Sequence, residues 1–177
     1  LQSGSQVLET AAGLVEYTNI GSGPVVLISH GEGGGYDMGA WLASLIGGEY
    51  RYISPSRFGY LRTPLPENPS PQAQADSYAA LLDIHKISSA FILGLSSGGP
   101  SALEFALRFP DRCRGLIMLS VISRPIPPLP FVLKMIYPMM LRSDFLPWLI
   151  YSISPDFFIP VKWGRSGSIG KDQNRFR

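Results

Sequence analysis

The stretch FILGLSSGGPSALEFALRFP, Phe91 to Pro110, decides how this chain is read. It opens on a continuous apolar run, as in a strand buried on both faces, and closes on apolar residues at helical spacing that stop at Pro110. Between the two, Gly94, Leu95, Ser96, Ser97 and Gly98 spell G-x-S-x-G, and Gly99 extends the pattern. A serine on so sharp a strand-to-helix turn has a strained backbone. Side chains at the flanking positions would collide with neighbouring chain, and glycine avoids the collision. Such a turn pushes the hydroxyl out at the C-terminal edge of a sheet and onto a helix N-terminus, where free N–H groups and the helix dipole favour negative charge. The pentapeptide alone arises by chance in many chains. In its strand–turn–helix context it makes Ser96 a candidate nucleophile.

Working outward, VVLIS at Val25 to Ser29 is a second continuous apolar run, preceded by the punctuation GSGP and followed by HGEGGGYD, His30 to Asp37. A helix is expected over Asp37 to Leu45, a strand over Arg51 to Ser56 and a Gly- and Pro-rich loop over Phe58 to Gln72. Ala73 to His85 reads as a helix with Tyr78, Leu81, Leu82 and His85 on one face. CRGLIMLSVIS, from Cys113, reads as a further buried strand. Upstream, Gln6 to Asn19 alternates loosely around Gly13, as two short strands joined by a turn would. From Val25 to Ser123 the order is therefore strand, helix, strand, helix, strand, helix, strand, which implies right-handed crossovers and a parallel sheet.

Composition fits one folded unit. The chain has 177 residues, 45% hydrophobic and 16% charged, with a mean hydropathy of +0.13, and a chain of this size buries roughly two-thirds of the surface its unfolded form exposes. A net charge of +2 with scattered Lys and Arg is too small a footprint for nucleic acid, which is excluded as a partner. The single cysteine, Cys113, can form no intrachain disulfide and is expected to pack in a strand. No cluster of metal ligands is legible, and neither a metal nor an organic cofactor is expected. The chain opens on Leu1 and carries no visible leader, so the compartment stays open with the cytoplasm as first expectation.

After Ser123 the pattern changes. Pro125 to Pro160 is strongly apolar but interrupted throughout by proline, so it lacks the about 20 unbroken apolar residues of a membrane helix. Short helices forming part of a lid are expected there, and Val161 to Arg177 is expected to be a disordered tail. The expected divisions are thus 1–123, 124–160 and 161–177.

A second element agrees with Ser96. The Gly-rich loop after His30 and Gly31 can bring a backbone N–H close to a substrate oxygen. Two donors could then meet one oxyanion: the N–H of Ser97 and the N–H of Glu32. At this point LISHGEGGGYD, SPSRFGYLRTP and GLSSGGPSA together resemble the α/β-hydrolase superfamily, as its oxyanion strand and loop, its next strand and loop, and its nucleophile elbow. Within it the chain is similar to bacterial proline iminopeptidases, haloperoxidases and small esterases. The resemblance implies an α/β fold, a three-layer sandwich with a mostly parallel sheet, and a cap after the last strand seen here. It also implies acyl transfer to Ser96 from a small ester or amide, with His30, Gly31, Gly94 and Gly98 as motif residues and an acid and a His following the serine. The expected lid, rich in Phe, Met, Leu and Trp148, would suit an apolar substrate.

That last expectation meets a gap. The sequence holds only His30 and His85, both before Ser96. His85 should lie at the opposite end of the sheet, about 20 Å away along six residues of strand. His30 is nearer but belongs to the oxyanion loop, and Asp144, Asp156 and Asp172 fall in the apolar segment or the tail. The chain is therefore expected to be the N-terminal part of such a hydrolase, with its C-terminal strands missing, through a fragmentary gene or transcript, a frameshift near Val161, or natural truncation. A noncatalytic binding protein is the alternative. A half-sheet of this kind would expose an edge and could oligomerise through it.

Overall fold

The computed structural model describes residues 4–121, and the expected cap and tail, with Asp144, Asp156 and Asp172, lie outside them. Six strands form one sheet: β1 Gln6–Thr10, β2 Gly13–Gly21, β3 Val25–Ser29, β4 Arg51–Pro55, β5 Ala90–Leu95 and β6 Cys113–Leu119. Their spatial order is β1-β2-β4-β3-β5-β6. The β1 and β2 pair is antiparallel, as is β2 with β4, whereas β4, β3, β5 and β6 run parallel to one another. Three helices make the crossovers: α1 Tyr36–Ile46 joins β3 to β4, α2 Pro71–Ile84 joins β4 to β5, and α3 Gly99–Arg108 joins β5 to β6.

Burial explains the layering. On one face Leu27, Ile53 and Ile92 pack with Tyr78, Leu81 and Leu82 of α2 and with Ala102 and Phe105 of α3. On the other face Val26, Ile28, Tyr52 and Leu93 pack with Leu42 and Ala43 of α1. β3 and β4 are apolar at successive positions because both of their faces are covered. Gly39 lets α1 approach the sheet, since a β-carbon there would overlap the Ser54 side chain.

The helix expected from Ala73 starts earlier, at Pro71. Ser70 caps it, its Oγ accepting the N–H of Ala73 at 3.1 Å, and proline suits the first helical turn, where no N–H donor is needed. The loop from Phe58 accordingly ends at Ser70 rather than Gln72. β6 is also less buried than its apolar sequence suggests, with Ile117, Met118 and Leu119 exposed by 43%, 37% and 37%. Among the described residues it is an edge strand, and α1 covers β3 and β4 instead. Cys113 is half-buried against the core, as a packed strand residue should be.

This topology fixes where a ligand would be met. The chain leaves β3 toward α1 on one face and leaves β5 toward α3 on the other, so the C-terminal ends of β3 and β5 flank a switch point. In open α/β sheets such a point leaves a crevice. The two strands are hydrogen-bonded there, with Ser29 opposite Gly94.

Candidate active site

Ser96 leaves the end of β5 with φ at +51°, in the left-handed region that non-glycine residues rarely occupy. A short 3-10 turn, Ser96–Gly98, carries the chain directly into α3. Two glycines make this possible. A β-carbon on Gly94 would stand 2.8 Å from Ala102 Cβ and 2.9 Å from Gly99 Cα. One on Gly98 would overlap the Ser29 carbonyl and come within 2.5 Å of the His30 carbonyl oxygen, so α3 can seat against the end of β3 only with glycine there.

Beneath the turn lies a buried hydroxyl network. Ser29 Oγ is 2.7 Å from Tyr78 Oη and 3.0 Å from Ser101 Oγ. The Gly98 carbonyl accepts from Ser29 Oγ at 3.0 Å and from Ser101 Oγ at 3.1 Å. These contacts fasten β3, α2 and α3 to the carbonyl of Gly98, the last residue of the Ser96–Gly98 turn. Burial raises the Tyr78 phenol above its ordinary range, and it stays a neutral hydrogen-bonding group.

The loop after β3 comes up beside the serine. A β-carbon built on Gly31 would lie 3.3 Å from Ser96 Cβ, which places Gly31 and its neighbours against Ser96. Asp37 holds the far side of this loop, its Oδ1 accepting the N–H groups of Gly35 and Met38 at 2.9 Å each. Ser56 Oγ accepts the Tyr36 N–H at 3.1 Å. Glu32 is exposed at the loop surface.

His30 is fully buried and both its ring nitrogens are engaged. Nε2 accepts the Arg57 backbone N–H at 2.9 Å, and Nδ1 lies 2.7 Å from the Gly31 carbonyl oxygen. An acceptor at Nε2 leaves the proton on Nδ1, so the ring is neutral and donates to Gly31. Burial dominates its ionisation and pushes its pKa down to about 4. His30 therefore braces the loop and has no nitrogen left to take a proton from Ser96. His85 lies beside Arg51, the first residue of β4, and edge-on to Tyr17 at 5.1 Å. It belongs to the end of the sheet away from Ser96.

One residue at the site carried no sequence signal beyond a charge just past a strand end. Arg57 donates from Nη1 to the Ser97 carbonyl oxygen at 2.7 Å and from Nη2 to Ser97 Oγ at 3.0 Å. Its guanidinium also lies over the Tyr60 ring, 5.3 Å from the centroid. The structure thus brings together Ser96, Ser97, His30, Gly31, Glu32, Gly94 and Gly98, adds Arg57, and leaves His85 apart. A depression of about 390 Å³ lined by Gly33, Gly34, Asp37, Met38, Trp41 and Leu95 adjoins this cluster. A second, of about 300 Å³, is lined by residues that include Arg57, Tyr60, Leu65, Gln74 and Ser97, and Ser96 lines neither.

A mostly parallel sheet with helices on both faces, and a serine at a strained strand-to-helix turn beside a Gly-rich loop, are the features of the α/β-hydrolase class. Residues 24–152 match the alpha/beta hydrolase fold family, and the chain belongs to it. It is similar to an epoxide hydrolase of Caballeronia sordidicola, 35% identical over 108 residues that make up 59% of this chain and 33% of that protein. Among solved structures it is similar to an α/β-hydrolase fold protein from Nakamurella multipartita, with a TM-score of 0.66, 36% identity and coverage of 75% of this chain and 47% of the other. A thermophilic esterase from Thermogutta terrifontis aligns with a TM-score of 0.61 at 29% identity, covering 70% and 48%. The chain spans 39% and 33% of the length of two curated relatives.

Proposed function

We propose that Ser96 is the nucleophile of an acyl hydrolase acting on a small, apolar ester or amide, with the Ser97 and Glu32 N–H groups holding the oxyanion. The observation that carries this reading is the left-handed φ of +51° at Ser96 on a glycine-bounded turn from β5 into α3, packed against the loop after β3. Backbone strain of this kind costs about 1–3 kcal/mol and persists where surrounding structure enforces it, chiefly at functional sites. In the proposed reaction Ser96 Oγ bonds to the carbonyl carbon and loses its proton to a base. The leaving group departs with a proton as the tetrahedral adduct collapses to an acyl-serine. Water then cleaves that ester, releasing the acid and restoring the hydroxyl. The two amides oppose the negative charge that develops on the carbonyl oxygen.

The residue type favours acyl over epoxide chemistry. A serine that opened an epoxide would be left as an ether, which water does not readily cleave, whereas an acyl-serine is an ester and turns over. Met38, Trp41 and Leu95 supply apolar walls in the depression beside Ser96, and the Asp37 carboxylate that also lines it is engaged by the Gly35 and Met38 N–H groups, which together support an uncharged substrate. The base lies outside the cluster formed by the described residues, since His30 is engaged and His85 is remote.

The test is labelling with an alkyl fluorophosphonate, in which serine Oγ displaces fluoride from phosphorus, read by intact mass and peptide mapping. A single adduct on Ser96 that disappears in Ser96→Ala supports the reading. An unlabelled wild type, or an adduct that persists in Ser96→Ala, overturns it. The engagement of both His30 nitrogens favours a second reading, a noncatalytic protein binding an apolar ligand in the same cleft. That reading predicts no adduct and an affinity for apolar esters indifferent to Ser96→Ala.

A further inference from the structure

We infer that Arg57 is a positioning residue that, together with His30, sets the direction of both oxyanion donors; this rests on the acyl-hydrolase reading. The two donors come from separate loops, after β3 and after β5, and sequence offers no covalent link between them. Hydrogen bonds supply one. His30 Nδ1–H grips the Gly31 carbonyl at 2.7 Å. The Gly31–Glu32 peptide is planar and trans, so holding its C=O aims the Glu32 N–H in the opposite direction. The other nitrogen of the same ring accepts the Arg57 N–H at 2.9 Å. Arg57 then reaches across to Ser97 and takes two of its oxygens, the carbonyl at 2.7 Å and Oγ at 3.0 Å.

The fork matters chemically. A guanidinium presents paired donors in a fixed plane, so contacts to the carbonyl and to the hydroxyl of Ser97 hold its carbonyl carbon, Cα and Cβ in place, and with them the position of its backbone nitrogen. Ser97 immediately follows the strained Ser96, and rotation about its backbone would swing the N–H that faces the oxyanion. A lysine offers one ammonium and cannot reproduce the planar pair. Tyr60 packs against both members, edge-on to the His30 ring at 4.9 Å and under the Arg57 guanidinium. The loop carrying Arg57 is anchored in turn. Glu16 accepts the Arg62 N–H at 2.9 Å and the Arg62 Nε–H at 2.8 Å, and the Glu16 carbonyl accepts the Ser56 N–H at 2.8 Å.

The experiment compares the rate of fluorophosphonate labelling at Ser96 in the wild type, Arg57→Met and Arg57→Lys. Amide proton shifts of Ser97 and Glu32 are followed before and after the adduct forms. Arg57→Met is expected to slow labelling by about ten- to hundredfold, below the full loss of one oxyanion donor, and Arg57→Lys by less. In the wild-type adduct both amide protons move downfield. In the Arg57→Met adduct the Glu32 shift is retained and the Ser97 shift is lost, a split that general loosening of the fold would not produce. A wild type that labels, with Arg57→Met within threefold of it, overturns this inference alone. An unlabelled wild type overturns the acyl-hydrolase reading and this inference with it. Should Arg57→Met fail to fold, Arg57→Lys and Ser97→Ala carry the same comparison, and unchanged rates in both overturn the inference.

Discussion

At the scale of the residue, the role proposed for Ser96 sets function against stability. Its φ of +51° is unfavourable for any side chain with a β-carbon and ordinary for glycine. Ser96→Gly is therefore expected to stabilise the fold by about 1 kcal/mol, a gain held down by glycine's greater freedom in the unfolded chain, while removing all labelling. Ser96→Ala keeps the β-carbon, so it should lose labelling without that gain. Urea denaturation of both variants beside the wild type checks the pair. Equal stability of the Gly and Ala variants would mean that the strain stored in the turn is no larger than the freedom glycine adds to the unfolded chain. The strained turn at Ser96, with Gly94 and Gly98 on either side, was legible in the sequence because its motif is contiguous. Arg57, Ser29 and Tyr78 were not legible beside the turn, since their partners lie 23 or more positions distant in the chain, and Ser101 joins them through Ser29 and Tyr78 as well as through nearby Gly98. Pairings of that span follow from topology and leave no local spacing to read.

At the scale of the element, the decisive object is the junction of β3, β5 and α3. Gly98→Ala would drive a methyl group into the Ser29 and His30 carbonyls, both backbone and both held in the sheet or its loop. It is expected to cost about 1–3 kcal/mol as an overpacked position and to slow Ser96 labelling by displacing the turn. Tyr78→Phe tests the same junction from below. It removes the hydroxyl that joins Ser29 and Ser101 but leaves both serines bonded to the Gly98 carbonyl, so a smaller loss of about 1 kcal/mol is expected. A Tyr78→Phe loss equal to or above that of Gly98→Ala would contradict this ordering, and thermal unfolding of the two variants decides it. Periodicity predicted the alternation of strands and helices from Val25 onward, because each buried parallel strand is a short apolar run and each helix has one apolar face. It missed the start of α2, where the signal is a capping serine followed by proline rather than a hydrophobic period. It also overstated the burial of β6, because an apolar strand looks the same in sequence whether or not something covers it.

At the scale of the whole molecule, the charges that the fold buries make its stability depend on pH in a defined direction. In the unfolded chain His30 takes up a proton near pH 6.5, but in the native protein not until about 4, because burial and the Arg57 charge disfavour the cation more than the Gly31 carbonyl and Asp37 favour it. The unfolded state thus binds more protons between those values, and stability falls as pH drops from 6.5 to 4 and is not lowered further by this group below 4. The shift corresponds to about 3 kcal/mol, a large fraction of a domain's total. His85 is shifted in the same direction by burial and Arg51, and adds to the loss. Glu16 adds a second step at lower pH. Burial alone would raise its carboxyl, but the Arg62 N–H and guanidinium and the Ser5 hydroxyl outweigh that and hold it below the ordinary value of 4.5. Its contribution is present above that value and lost as pH falls through the native pKa. Urea denaturation at intervals from pH 7.5 to 3.5 should therefore show a decline beginning near 6.5, well above the range where carboxylates titrate. The His30 Hε1 resonance should show no titration above pH 5. A stability plateau extending down to pH 5, or a His30 signal titrating near 6.5, would mean that the ring is not the neutral, doubly bonded brace described for the loop beside Ser96.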